Sequence, residues 1–131
     1  MNLFDKVYDD LKSYLETKSK YKPKVLTMPK GSSFPRVVVT KSDDRELERT
    51  TFGIDRKDYM VFEIDIYAKS MNGDSELTVA SEIEEKVKIL MGDIYGFKRI
   101  FNQPTPNVDT NVYRITMRFE TNANSKRYAF Y

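Results

Sequence analysis

The 131-residue sequence contains no cysteine, no histidine and no tryptophan. Without cysteine a disulfide scaffold is impossible, and without cysteine and histidine so is a structural zinc site. The same absences remove the commonest general base and the thiol nucleophile, which disfavours most enzyme classes. The composition therefore predicts a protein that is not an enzyme and that holds no catalytic group, metal or cofactor.

Glycine and proline are scarce, at five residues each, and no phosphate-binding loop, nucleophile elbow or dinucleotide fingerprint occurs. No apolar run reaches the roughly 18 residues that suggest a membrane span. The N-terminus lacks the basic segment and apolar run of a signal peptide. We therefore expect a protein that stays in a cytoplasm, without a membrane partner, and whose length fits a single domain.

Aromatic residues and charge are the features that stand out. The chain has eight phenylalanines and nine tyrosines, and tyrosine suits surfaces that bury an apolar ring and keep a polar tip. The net charge of +2 is divided into blocks of +5 in residues 1–42, −7 in residues 43–93 and +4 in residues 94–131. Such blocks would complement one another in a head-to-tail assembly of identical chains. The alternative is that the blocks mix in space.

Apolar spacings of three and four predict two amphipathic helices, from Leu3 to about Lys18 and from about Asp74 to Tyr95, with Gly96 as the stop. The polar segment 41–44 predicts a hairpin tip near Asp43 and Asp44. Residues 103–109 are predicted to form a loop. Strands are predicted over 25–28, 34–40, 45–52, 59–69, 97–101 and 112–120.

This order of elements predicts a two-layer α+β sandwich with a mostly antiparallel sheet and both amphipathic helices on one face. The predicted domain covers residues 1–121, and residues 122–131 form a C-terminal extension. Alternation along the two longest strands leaves one sheet face uncovered, bearing Glu63, Asp65, Lys69, Arg114 and Arg118.

Glu63 and Asp65 lie two residues apart on one face, so they would either share a magnesium ion or form a cross-strand ladder with Arg114 and Arg118. We favour the ladder, because a catalytic carboxylate pair normally needs a pocket that no pattern here indicates. The alternating lysines of segment 18–24, with Tyr21 among them, would suit contact with a DNA backbone. A solvated linker after the helix explains that segment equally well and is favoured.

The C-terminal aromatic residues Tyr128, Phe130 and Tyr131 follow the last regular strand. Free in solution, they would expose apolar rings to water. They would either fold back on their own domain as an edge strand or dock on a neighbouring subunit. We assign a subunit interface to seven residues: Tyr128, Phe130, Tyr131, Arg114, Arg118, Glu63 and Asp65.

The whole pattern resembles a known family. Its parts are an N-terminal amphipathic helix, a polar hairpin, a Gly-Phe start to the strand after the second helix, and the segments FPRVVV (34–39), VFEIDIYA (61–68), ASEIEEKV (80–87) and YRITMRF (113–119). Together they resemble the tail-terminator, tail-completion or neck, proteins of long-tailed bacteriophages. The resemblance covers nearly the whole chain and rests on length and pattern, since the family has no catalytic motif.

The resemblance implies a structural, non-enzymatic ring, usually a hexamer, that ends the tail tube and provides the surface on which the head docks. Its partners would be further copies of itself, the tail tube protein and a head-closure or connector protein. DNA would pass through the lumen without sequence-specific contact. The protein would be assembled in the host cytoplasm and remain in the tail and neck of the virion. The alternatives are another phage head-tail connector or minor structural protein, or a weak DNA-binding module.

Overall fold

The computed structural model describes residues 3–28, 34–49, 56–106, 111–124 and 129–130. The helices are α1 (Leu3–Lys18) and α2 (Glu76–Lys88), and α2 continues into a π-helical segment (Ile89–Ile94). The strands are β1 (Lys24–Leu26), β2 (Arg36–Arg49), β3 (Arg56–Ala68), β4 (Lys98–Thr105), β5 (Tyr113–Asn124) and β6 (Ala129–Phe130).

The strands form one sheet in the order β1-β2-β3-β5-β4, with β6 pairing the far end of β5. All neighbours are antiparallel except β1 and β2, which are parallel. Side chains of α1 and α2 share one core cluster with residues from one face of the sheet. The predicted α+β fold, a mostly antiparallel sheet with both helices on one face, is confirmed.

The core lies between this sheet face and the helices. Alternate residues of β3 from Met60 to Ala68 are buried in it, as the period of two predicted. Phe62 is central, because its ring stacks on Phe4 of α1 at 6.2 Å and on Phe97 at 5.6 Å between centroids. The helices contribute Leu3, Val7, Leu11, Leu15, Val79, Ala80, Ile83 and Val87.

The second helix begins and ends as its sequence predicts. Ser75 is the N-cap, and its hydroxyl accepts a hydrogen bond from the backbone N–H of Thr78. Beyond Lys88 the backbone widens, so that Tyr95 N–H donates to Leu90 O, five residues back. Gly96, at φ +77°, then ends the helix in a conformation that favours glycine.

Two sequence predictions about turns and loops are wrong. No hairpin tip forms near Asp43 and Asp44, since β2 runs on through them to Arg49, and a bulge after Lys41 absorbs the irregularity of the polar segment. The loop predicted from residue 103 begins later, because β4 extends to Thr105 and includes Pro104. This proline is tolerated because β4 is an edge strand of the described sheet.

The end of the chain adds to the same sheet. Strand β5 continues to Asn124, so the boundary predicted between residues 121 and 122 falls inside it. In β6, Phe130 pairs with Ala123 and Ala129 with Asn124. Part of the predicted extension therefore pairs with β5 of the chain's own sheet, while residues 128 and 131 lie outside the described residues.

Candidate interaction surface

The sheet face opposite the helices, called the open face below, holds the predicted ladder. Glu63 stands directly across from Arg118, whose Nε donates to Glu63 Oε1 at 2.9 Å. Asp65 stands across from Thr116, whose hydroxyl donates to Asp65 Oδ1 at 2.6 Å. Arg114 reaches the same oxygen diagonally, from Nε at 3.1 Å and Nη2 at 3.0 Å. The ladder predicted between β3 and β5 is confirmed.

The two rungs differ in depth. The rung of Glu63 and Arg118 is open to solvent, with 22% of the Glu63 side chain and 42% of the Arg118 side chain exposed. Asp65 is only 4% exposed, so its predicted place on a wet surface is wrong. A buried carboxylate needs hydrogen-bond donors, and Arg114 and Thr116 supply them. Among the described residues no group of three or more acidic side chains is arranged to hold a metal ion.

A set of four cations, called the basic row, crosses one end of the open face: Lys24, Arg36, Lys69 and Arg114. The register aligns Lys24 with Arg36, Arg36 with Tyr67, and Tyr67 with Arg114. The row therefore spans four adjacent strands, with a tyrosine in its middle.

Aromatic rings contact three of the four cations of the basic row. The Arg36 guanidinium carbon lies 4.6 Å from the ring centroids of both Phe34 and Tyr67. Lys69 Nζ lies 4.5 Å from the Phe34 centroid, and Arg114 Cζ lies 5.2 Å from that of Tyr67. These are cation–π distances, which restrict the side chains and orient their charges. Burial raises the pKa of Tyr67, and the charges of Arg114 and Arg36 oppose that shift without cancelling it.

The aromatic stack was not predicted from the sequence. The sequence does contain the spacing that indicates these contacts. Residues 34 and 36 are two apart, as are residues 67 and 69, and side chains two apart in an extended chain lie on the same face. What the sequence does not contain is the β2–β3 register that brings Arg36 beside Tyr67. Tyr67 also joins Val38 and Val112 in a small apolar cluster under the row. The open face therefore has a packed layer of its own.

The other end of the open face carries a hydroxyl–carboxylate contact. Tyr59 OH donates to Glu120 Oε2 at 2.7 Å, and this bond raises the pKa of Tyr59. Arg45 stacks over the same ring at 4.7 Å. Beside this pair is a shallow notch of about 150 Å³, lined by Tyr59, Gly96, Lys98, Glu120, Thr121 and Asn122.

The helix layer carries an open groove of about 470 Å³ between α1 and the π-helical segment, with Tyr14, Leu90 and Ile94 among its lining residues. Tyr95 OH donates a hydrogen bond to Asp10 at one side of it, and Lys6 Nζ lies 2.6 Å from the same carboxylate. Burial and the bond to Asp10 raise the pKa of Tyr95. Burial opposes ionisation of Asp10, but the hydrogen bonds from Lys6 and Tyr95 prevail and lower its pKa.

The segment 18–24, which leads from α1 to β1, forms hydrogen bonds to α2 and to the turn before it. Tyr21 is buried, and its hydroxyl donates to Asp74, a bond that raises the pKa of Tyr21 to about 12. Ser19 donates to the Glu82 carboxylate of α2 at 2.8 Å. The exposed lysines of this segment fit the solvated linker, whereas the stacking ring that a DNA contact would use lies in the core.

Of the seven residues assigned to a subunit interface, the structure brings Glu63, Asp65, Arg114 and Arg118 together on the open face. Phe130 lies apart from them, in β6 at the end of β5. Tyr128 and Tyr131 fall outside the described part of the chain.

In the ranges that the structure describes, neither helix is long and apolar enough to cross a membrane. No protein-family model matches the sequence, and no curated protein matches it either.

Proposed function

We propose that the chain is a structural subunit of a ring that terminates the tail tube of a long-tailed phage and provides the head-joining surface. The order of its elements supports this proposal. An N-terminal helix precedes a long antiparallel pair, β2 and β3, and α2 follows β3 after a short turn. Strand β5 then returns beside β3. The resemblance to tail-terminator proteins rests on this same order of elements along the chain.

The observation that carries the proposal is that the domain has two different outer surfaces on opposite sides. One is the helix layer, and the other is the open face of the sheet. A ring of identical subunits needs two different patches, each fitting the other on the next copy. The ladder and the cation–π stack fix the side chains of the open face, and a preformed surface loses less entropy on binding.

The edges of the sheet are poorly suited to strand addition, which favours the two faces as contact surfaces. The outer edge strand β4 contains Pro104 and a bulge between Arg99 and Phe101. Strand β2 is covered by β1 only along residues 36–38, and its remaining length has two bulges and several charged residues. Bulges, prolines and charges are the features that keep edge strands from pairing with other chains.

The role is non-enzymatic and uses no cofactor. The two carboxylates that would serve as an acid and base pair, Glu63 and Asp65, are bound by Arg118 and Arg114 within the subunit. Further copies of the chain, the tail tube protein and a head-closure or connector protein are the partners in this proposal. The protein is assembled in the host cytoplasm and stays in the virion, and DNA passes through the ring without sequence-specific contact.

The test is the mass of the purified full-length protein by size-exclusion chromatography with light scattering, alone and after mixing with tail tubes. We expect a multiple of the 15.4 kDa chain mass, and electron micrographs of tubes with a ring at one end. A protein that stays monomeric alone and leaves the tubes uncapped would contradict the proposal.

A further inference from the structure

The helix layer and the basic row of the open face carry opposite charge. The helix layer, made of α1, α2 and the π-helical segment, contains nine acidic and five basic residues. The basic row has four cations, and one of them, Arg114, binds the carboxylate of Asp65. Because the sheet separates the two surfaces, these charges face away from each other within one subunit.

We propose that the basic row of one copy docks on the acidic outer surface of the helix layer of the next copy. This inference rests on the proposed ring function and names the charges that hold the ring together. A second copy is the occupant that the charges favour, because both complementary surfaces belong to the same chain and lie on opposite sides of it. Head-to-tail contact then repeats from copy to copy.

The acidic surface has groups ready for an intermolecular ion pair. Asp9, Glu16, Glu85 and Asp93 are exposed and, within the described residues, make no ion pair. Asp9 and Glu16 are seven residues apart on α1, about two turns, so they lie on one stripe of that helix. Other carboxylates of the layer are already used, since Asp10 binds Lys6 and Glu84 binds Lys88.

The basic row is prepared for the same contact. Lys24 is exposed and Lys69 is partly exposed, so both ammonium groups can reach a partner. Arg36 is buried and Arg114 already binds Asp65, so these two side chains, stacked on Tyr67, add fixed positive charge behind the lysines. Charges arranged in this way set the orientation of docking as well as its rate.

The experiment reverses the charges on the two surfaces and measures how the molecular mass of the protein in solution depends on its concentration. The first variant is Lys24→Glu with Lys69→Glu, and the second is Asp9→Lys with Glu16→Lys. We expect each variant alone to weaken self-association roughly tenfold or more, and the four changes combined to recover most of that loss. Wild-type association should also weaken as salt is raised.

The matched control is Lys12→Glu with Lys18→Glu, which changes the net charge as much as the first variant but on the helix layer. Both lysines are exposed. The control makes the acidic surface more acidic, so it should leave association unchanged or strengthen it. Circular dichroism and the melting temperature establish that each variant folds. If a reversal unfolds the chain, Lys24→Gln with Lys69→Gln takes its place, with a smaller loss expected.

The outcomes separate the two proposals. If wild type assembles and no reversal at the basic row or on α1 weakens it, or if the control weakens it equally, the charge docking is wrong and the ring function stands. If the basic-row variant assembles like wild type but loses binding to a labelled DNA duplex, the occupant is a polyanion and the inference is overturned. A wild type that stays monomeric with and without tubes overturns both.

Discussion

Arg114 on β5 donates two hydrogen bonds to one oxygen of Asp65 on β3, although the residue directly across from Asp65 is Thr116. The diagonal reach lets the carboxylate accept from the arginine and from the threonine together. Thr105 of β4 in turn donates to the Thr116 hydroxyl at 2.6 Å, so the chain of hydrogen bonds crosses three strands. This network fixes the relative register of β3, β5 and β4.

The first prediction ranks the two rungs of the ladder. Asp65→Ala removes the acceptor of Arg114 and Thr116 in a buried place, so it should lower the free energy of unfolding by about 1–3 kcal/mol. Glu63→Ala, on the wet rung, should lower it by less than about 1 kcal/mol. Chemical denaturation measures both values. Equal losses, or a larger loss for the Glu63 variant, would mean that burial does not set the strength of the rungs.

A second prediction concerns Phe62, which is fully buried and stacked between Phe4 and Phe97. Phe62→Ala should lower the free energy of unfolding by about 3–5 kcal/mol, through lost burial and the remaining cavity. Ile100→Ala is the control, because Ile100 is 44% exposed, and it should change stability by about 0.5 kcal/mol or less. Comparable losses from the two changes, again by denaturation, would reverse the assignment of the core.

The sequence was sufficient where a regular period meets a buried face. The alternation through Phe62 and Ile64 predicted the core side of β3, and the spacing of Leu11 and Leu15 predicted that of α1. Both results follow from periods of two and 3.6, which are local properties of the backbone. Because they need no knowledge of partners, sequence reasoning found them.

Sequence reasoning failed where a distant partner decides the outcome. Asp43 and Asp44 have turn chemistry, but pairing with β3 keeps them in a strand. Tyr21 lies in a lysine-rich segment, yet its contact with Asp74 takes it into the core. Alternation placed Asp65 on the correct face but did not reveal its depth. In each case the tertiary contact overrides the local pattern.

The third prediction compares two glycines, Gly96 and Gly92, at which an added Cβ would meet no other atom within 4 Å. Gly96 has φ +77°, which a side chain makes unfavourable, so Gly96→Ala should lower the free energy of unfolding by about 1–2 kcal/mol. Gly92 lies in the π-helical segment without a positive φ, so Gly92→Ala should leave stability unchanged or raise it by up to about 1 kcal/mol. Thermal melts of both variants test the sign. A stabilising Gly96→Ala would show that the backbone there is not constrained.

Acid stability provides a fourth prediction. The hydrogen bond from Tyr21, with a smaller contribution from Lys20, lowers the pKa of Asp74 in the folded state. Because this pKa is lower in the folded state than in the unfolded state, the stabilisation is complete above the ordinary pKa of aspartate, about 4. It is lost as the pH falls through the lower pKa of the folded state. Asp74→Asn should therefore be less stable than wild type near neutral pH, and the gap should shrink in acid. The control is Tyr21→Phe, which removes the hydrogen-bond donor and keeps the ring, so in that variant the Asp74→Asn gap should be smaller and should vary less with pH. A gap for Asp74→Asn that is constant with pH would contradict the linkage.

The last prediction separates the two interpretations of the C-terminal aromatic residues. Deleting residues 125–131 removes β6 but keeps β5 whole, whereas deleting 122–131 also removes the part of β5 that pairs with residues 57–59 of β3. The shorter deletion should therefore retain the circular dichroism spectrum and most of the stability, and the longer one should melt at a lower temperature.

If the tail is an interface, the shorter deletion should weaken the ring or the capping of tubes, because buried aromatic anchors concentrate binding energy. Light scattering and micrographs of capped tubes measure that loss. Full assembly by the shorter deletion would exclude the tail as an interface, and failure of that deletion to fold would show that the tail serves the subunit's own sheet.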